Sequence, residues 1–331
     1  MSAGSSLPYR LRPNKAVDRE LFLSLLMRLA PKLGLEKYHY VGLGGPFLED
    51  FRLIHARLGI AKMTCIETDE EVHKRQLFNR PIASIECVHK KLEDYLDETD
   101  FESPAIIWFD YTEPRGITTQ IERFARTIGT VPIGSILRVT LNANPESLGK
   151  PEPKDISVES EGDVSEDRAQ KPTIQEWRLE RFKERLGSLF PAGLSAAGMT
   201  FKTFGTSLLR ALKLAVDKEA LSVRDRRIIW ALATHYADGQ AMVTAALIVC
   251  PNDDKSIEEL LKEWEFYATA DAPHRLDLPA LSTLERLTME SHDDAQAKMG
   301  FKLPKSDMGE NPFDVFRKFY RIYPHFSRVE L

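Results

Sequence analysis

After Asn14 the apolar positions Val17, Leu21, Leu25, Leu26 and Leu29 fall on one face of a helix, with Asn14 as its candidate N-cap and Pro31 near its stop. The period then changes. Tyr38-His39-Tyr40-Val41 is a short β-type run, and Gly42-Leu43-Gly44-Gly45-Pro46 reads as a tight turn, because glycine supplies positive φ and admits close approach to the backbone. Leu48, Phe51, Ile54 and Leu58 return to helical spacing, Gly59 stops that helix, and Met63-Thr64-Cys65-Ile66 resumes an apolar run. A strand–helix–strand unit results.

The alternation continues through a helix over 69–78, a strand over 82–88 and a short acidic helix over 92–96. Ala105-Ile106-Ile107-Trp108-Phe109 has the length and composition of a strand buried on both faces, as in a parallel sheet. A helix over 118–128 and a strand over 135–141 follow. Further on, two long apolar runs, 228–233 and 242–249, flank Tyr236-Ala237-Asp238-Gly239; Asp-Gly fits the turn that matches strand twist, so this is a hairpin expected to close the sheet. The fold class is α/β: a doubly wound, mostly parallel sheet ending in an antiparallel hairpin, with an N-terminal helix and a helical C-terminal extension.

Between Gly149 and Thr173 the apolar period vanishes while Glu159, Glu161, Asp163, Glu166 and Asp167 accumulate, which marks an acidic, flexible insertion over 149–172. Thr173 with Glu176 forms a capping box ahead of a helix, another helical stretch runs from Leu208 towards Leu221, and Ser256 with Glu259 and Ser282 with Glu285 repeat the capping-box signature. Asn311-Pro312 opens a last helix, and Phe313, Phe316, Phe319, Tyr320 and Tyr323, interleaved with Arg317, Lys318 and Arg321, could stack on single-stranded nucleic acid but are read as docking this helix on the core. These signals divide the chain into an N-terminal segment and helix (1–34), an α/β domain (35–252) and the extension (253–331).

Composition narrows the classes. With 331 residues, 43% hydrophobic and 29% charged, the chain is globular, and 45 basic against 50 acidic residues give a net charge of −5, so the whole-chain field repels phosphate. Any affinity for nucleic acid would have to come from a local patch, and nucleic acid is a possible but not a favoured partner. Cys65, Cys87 and Cys250 lack the spacing of a zinc site or a disulfide framework, so no metal and a reducing cytoplasm are expected. A basic leader and a long apolar run are both missing, so neither secretion nor a membrane partner is expected. Arg10, Arg12, Lys15 and Arg19 form a basic run, read first as a solvated helix face and in the alternative as facing a ligand.

The chemistry concentrates at strand ends. Glycine amides beside a helix start suit a polar ligand, and Glu67, 22 residues after Gly45 at the end of the next strand, can accept both hydroxyls of a ribose. An adenosine-containing ligand fits both. Asp110-Tyr111-Thr112-Glu113-Pro114 follows the buried fourth strand, where open α/β sheets place ligands and reacting groups. Asp110 or Glu113 could take a proton from an acceptor, and Tyr111 could position it; the structural alternative is that Asp110 caps the turn and Tyr111 packs.

The loop Gly42-Leu43-Gly44-Gly45, the acidic end Ile66-Glu67-Thr68-Asp69, the strand end Phe109-Asp110-Tyr111 and the hairpin at Asp238-Gly239 occur in the order of the Rossmann-like S-adenosylmethionine-dependent methyltransferases, which the stretch from Tyr38 to Cys250 resembles. The resemblance implies S-adenosylmethionine as cofactor, with Gly42, Gly44 and Gly45 lining its methionine and ribose portion, Glu67 on the ribose, and Lys91 and Leu92 beside the adenine. Two positions depart from the pattern: Tyr40 stands where an acidic residue is usual, and Pro46 displaces the third glycine, so a helper carboxylate would come from elsewhere, such as Glu49 or Asp50. A nicotinamide dehydrogenase would need glycine where Phe47 stands and a sheet that continues parallel. The Pro-Pro-aromatic signature of amino-group nucleic-acid methyltransferases and the cysteine of carbon-5 cytosine enzymes are absent after the fourth strand, which leaves oxygen as the leading acceptor atom. The chain is also similar to bacterial O-methyltransferases, some with antiviral gene neighbourhoods. The acceptor, small-molecule or macromolecular, is not specified. The rival reading is a non-catalytic sensor or scaffold that binds an adenosine ligand or a protein partner.

Overall fold

The computed structural model describes residues 12–151, 172–305 and 308–323. Arg10 and nearly all of the acidic insertion lie outside the described residues. Among the described residues eight strands form one sheet in the order β3-β2-β1-β4-β5-β7-β6-β8. Strands β1 (His39–Gly42), β2 (Lys62–Glu67), β3 (Ile85–His89), β4 (Ala105–Asp110) and β5 (Ile136–Asn142) pair in parallel, and β7 (Ala241–Pro251) runs antiparallel between β5 and β6 (Arg226–Ala237). The hairpin does not close the sheet. A three-residue strand, β8 (His274–Leu276), pairs in parallel with Thr234, His235 and Tyr236 at its outer edge. It is too short to leave a period in the sequence, and it brings the extension into the sheet.

Alternate residues of each strand feed two cores. Tyr40, Ile106, Trp108 and Ile136 face α1 (Pro13–Leu33), α2 (Glu49–Leu58) and the C-terminal helices α8 (Ser256–Lys262), α9 (Thr283–Ser291), α10 (Ala295–Met299) and α11 (Pro312–Phe319). Val41, Ile107, Phe109 and Leu137 face α4 (Leu92–Glu98), α5 (Ile117–Thr130), α6 (Ile174–Leu186) and α7 (Phe204–Ser222). Helix α3 (Glu70–Asn79), capped by Asp69, flanks β2 and β3. Phe313, Phe316, Phe319 and Tyr323 are buried, with Phe319 stacked on Phe266 at 5.9 Å, so these four dock as their spacing suggests, whereas Tyr320 is exposed.

Three local expectations are corrected. Asn14 lies inside α1, whose N-cap is Arg12; its side chain bonds Ala237 O and Asp238 instead. Ser256 forms no capping box with Glu259, because Asp254 takes its N–H and hydroxyl; the boxes at Thr173 and Ser282 do form. The basic run is no solvated face, since Arg19 is buried against Asp50 (2.7 Å) and Glu49 (3.2 Å) and Lys15 reaches Asp110.

Helix α1 is locked across the sheet by charge. Asp18, buried between Val17 and Leu21, pairs with the buried Arg138 of β5 at 2.5 Å and accepts the hydroxyls of Thr234 and Thr244 at 2.7 and 2.9 Å. The Arg138 guanidinium lies between the Phe22 and Trp108 rings, 4.3 and 4.2 Å from their centroids. Asp238 of the β6–β7 turn accepts the N–H groups of Asn14 and Lys15, two of the donors left open at a helix start. The residue that shapes the hairpin thus also caps α1. Among the described residues no helix is long and apolar enough to cross a membrane.

Candidate active site

The candidate site lies at the carboxyl ends of β1, β2 and β4, where the strand order reverses between β1 and β4. The glycine loop is fixed from inside. A Cβ on Gly44 would stand 2.6 Å from Leu48 Cδ2, 2.7 Å from Phe51 Cε2 and 3.0 Å from Cys65 Sγ, so only glycine fits there. Gly45 has φ 54° and Leu48 φ 51°, left-handed values that turn the chain from β1 into α2. Two side-chain amides from α3 pin the turn: Gln76 Nε2 donates to Gly45 O at 3.1 Å and Asn79 Nδ2 to Pro46 O at 2.8 Å.

Tyr40, at the position of the departure, is buried beneath this loop with its hydroxyl 3.1 Å from where a Cβ on Gly42 would sit. Burial, and next the charge of Asp50, hold that hydroxyl well above its ordinary pKa, so it remains a neutral donor. Glu49 and Asp50 open α2 but are engaged by Arg19.

Glu67 is half-buried at the end of β2. Its Oε1 accepts the N–H groups of Thr68 (2.7 Å) and Asp69 (2.9 Å), while Oε2 makes no bond among the described residues. One oxygen is anchored and the other has no protein partner among the described residues. Beyond β3, Lys91 is exposed at the N-cap of α4 and Leu92 is buried.

At the end of β4, Asp110 points to the α1 side of the sheet. Its Oδ2 is 3.7 Å from Lys15 Nζ, and its buried Oδ1 has no hydrogen-bond partner. Neither oxygen caps the turn, so the structural alternative for this residue is not what the geometry contains. The Tyr236 hydroxyl comes from β6 on the same face, raised well above its ordinary pKa by burial and by the carboxylates of Asp18, Asp110 and Asp238. Tyr111 is on the other face: its hydroxyl donates to Glu93 Oε1 at 2.9 Å, and burial, with Glu93 beside it, raises its pKa. Glu113 is exposed, and its Oε1 accepts the N–H of Arg115 at 3.0 Å.

The structure thus brings Gly42, Gly44, Gly45, Glu67 and Asp110 to one end of the sheet, with Tyr111 and Glu113 following Asp110 and Lys91 and Leu92 after β3. It adds Lys15, which the sequence offered only through the alternative, ligand-facing reading of the basic run, and Tyr236, which was taken only as part of a turn. A cavity of about 220 Å³ lies elsewhere, at the opposite ends of β1 and β2.

Over residues 7–331 the chain matches the model of a family described as "Putative O-methyltransferase". The chain belongs to that family. No curated protein matches it significantly. Among solved structures, this methyltransferase-family chain is similar to a probable spermidine synthase from Corynebacterium glutamicum, at 17% identity and a TM-score of 0.34 over 45% of this chain and 53% of that one. It thus spans about half of the synthase. It is also similar to an rRNA methylase from Streptococcus thermophilus (10% identity, TM-score 0.33, 70% and 96% of the two chains) and to the N-methyltransferase NodS from Bradyrhizobium japonicum (8%, 0.34, 71% and 97%).

Proposed function

We propose that the protein transfers a methyl group from S-adenosylmethionine to an oxygen of its acceptor, in the crevice between the glycine loop and Asp110. The observation that carries this reading is the buried, unbonded Oδ1 of Asp110 beside the strand-order reversal, with the family match as its frame. The residues present suit the cofactor. Gly45 leaves the backbone approachable, Oε2 of Glu67 is open to ribose hydroxyls, and Lys91 and Leu92 border the region beside the adenine.

S-adenosylmethionine supplies, when bound, a methyl on a cationic sulfur. The protein's own part is to orient the acceptor and to move one proton. Lys15 holds Oδ2 of Asp110, leaving Oδ1 as the atom that would receive the acceptor's hydroxyl proton. Tyr236 and Tyr40, both neutral, are donors able to hold polar groups of bound ligand on that face. Tyr111 acts through Glu93 to steady the β4–α5 turn, and Glu113 lies at the rim.

The test is incubation of the protein with methyl-labelled S-adenosylmethionine and cell extract, read by mass spectrometry, with Asp110→Asn in parallel. Label on an oxygen of one product, reduced about 10²-fold by the variant, supports the reading; label on nitrogen or carbon, or undiminished transfer by the folded variant, overturns it.

A further inference from the structure

The second feature that invites a ligand is the cavity of about 220 Å³ at the amino ends of β1 and β2. Its origin is a mismatch between sheet and cover. Helix α4 has seven residues and buries Leu92 near the carboxyl ends of the strands, while the lower half of that sheet face carries polar side chains where a doubly wound sheet is ordinarily apolar. His39, Thr64 and Glu86 stand there on adjacent strands, with Thr64 and Glu86 in register.

The floor is built of satisfied and unsatisfied groups together. His39 is 5% exposed; its Nε2 shares a 2.8 Å hydrogen bond with Thr64 Oγ1, which also receives the Tyr95 hydroxyl at 3.4 Å. Among the described residues the other ring nitrogen, Nδ1, has no partner. Burial, and next the charge of Lys62, lower the His39 pKa to about 4, so the ring is neutral near pH 7 and can accept a hydrogen bond. Tyr95 and Phe101 supply aromatic wall, with the Phe101 ring 5.8 Å from that of His39. The rim carries the carboxylates of Glu86, Asp100 and Glu102 against the single ammonium of Lys62, an excess of negative charge that repels anions.

We infer that this cavity is a binding site for a small organic cation with N–H donors, a primary amine or diamine, separate from the methyl-transfer crevice. The ammonium fits aromatic faces and carboxylates, and its N–H groups match the open histidine nitrogen and the hydroxyls beside it.

The experiment uses 1,4-diaminobutane as probe, with 1,4-butanediol and succinate as neutral and anionic counterparts of the same length, and follows the His39 ring resonances of the full chain by NMR. The expected result is a saturable shift with the diamine alone, weakened at least tenfold in Glu86→Gln/Asp100→Asn, whose two sites are exposed and leave folding intact. The same shift should persist in Glu67→Ala, which separates this site from the crevice. No saturable shift with the diamine, equal binding of butanediol or succinate, or full affinity in the double variant overturns the inference.

Discussion

Replacing Asp18 by leucine leaves the Arg138 guanidinium buried without a counter-charge, with its Nε and Nη1 already unbonded, and strands the hydroxyls of Thr234 and Thr244 with each other. Breaking one member of a buried pair costs about 3–5 kcal/mol, because the penalty is the orphaned charge and not the lost contact. Arg138→Met, which keeps the stem between Phe22 and Trp108, orphans the carboxylate and falls in the same range. Against a stability of about 5–15 kcal/mol for a typical domain, either change is large. The double variant Asp18→Leu/Arg138→Met removes both charges and is expected within about 2 kcal/mol of the parent, as buried pairs replaced by apolar groups commonly are. Urea unfolding, followed by circular dichroism and by the fluorescence of tryptophans that include Trp108, gives all four corners of the cycle. A coupling of about 3 kcal/mol or more is expected. Single costs that add within about 0.5 kcal/mol, or an Arg138→Met variant as stable as the parent, would refute the idea that this pair locks α1 and so places Lys15 at Asp110.

Other outcomes follow from the same structure. Gly44→Ala drives a Cβ into Leu48, Phe51 and Cys65 and should cost about 1–3 kcal/mol in urea unfolding while weakening S-adenosylhomocysteine; an unchanged midpoint counts against the packed-loop reading. His235, fully buried with neither ring nitrogen bonded, has its pKa lowered by burial from 6.5 to about 4, so the unfolded chain binds the proton first: stability is full above pH 6.5 and falls as pH drops towards 4, by about 3 kcal/mol from this group, and His235→Phe should flatten that slope. Replacing residues 150–172 by a short Gly-Ser linker should leave the melting temperature within a few degrees, because Arg178 Nε donates to Gly149 O at 3.4 Å and the two ends of the segment are therefore close; loss of soluble protein contradicts this.

Much of the fold was legible because strand and helix periods differ, and the strands at 105–109 and 135–141 each stop within a residue or two of β4 and β5. What escaped depends on distance along the chain. Asp18 and Arg138 are 120 residues apart, and each sits inside an otherwise apolar pattern with no local sign of its partner. Asp238 announced a turn through Asp-Gly, but its second role, capping α1, needs a helix more than 220 residues upstream. In the site, Glu67 and Asp110 were visible because strand ends are fixed by topology, whereas Lys15 and Tyr236 depend on how α1 crosses the sheet. Tyr111, equal to Asp110 as a sequence candidate, faces the other side simply because strand side chains alternate.

The most direct measurement is a calorimetric titration of the protein and of Glu67→Ala with S-adenosylhomocysteine. Loss of charged hydrogen bonds from Oε2 to the ribose hydroxyls is worth about 1.5–3 kcal/mol, so the parent should bind and the variant should bind roughly 10- to 150-fold more weakly, with its unfolding midpoint unchanged. Equal affinity of the two proteins, or no binding by the parent, would contradict a cofactor crevice at the carboxyl ends of β1, β2 and β4.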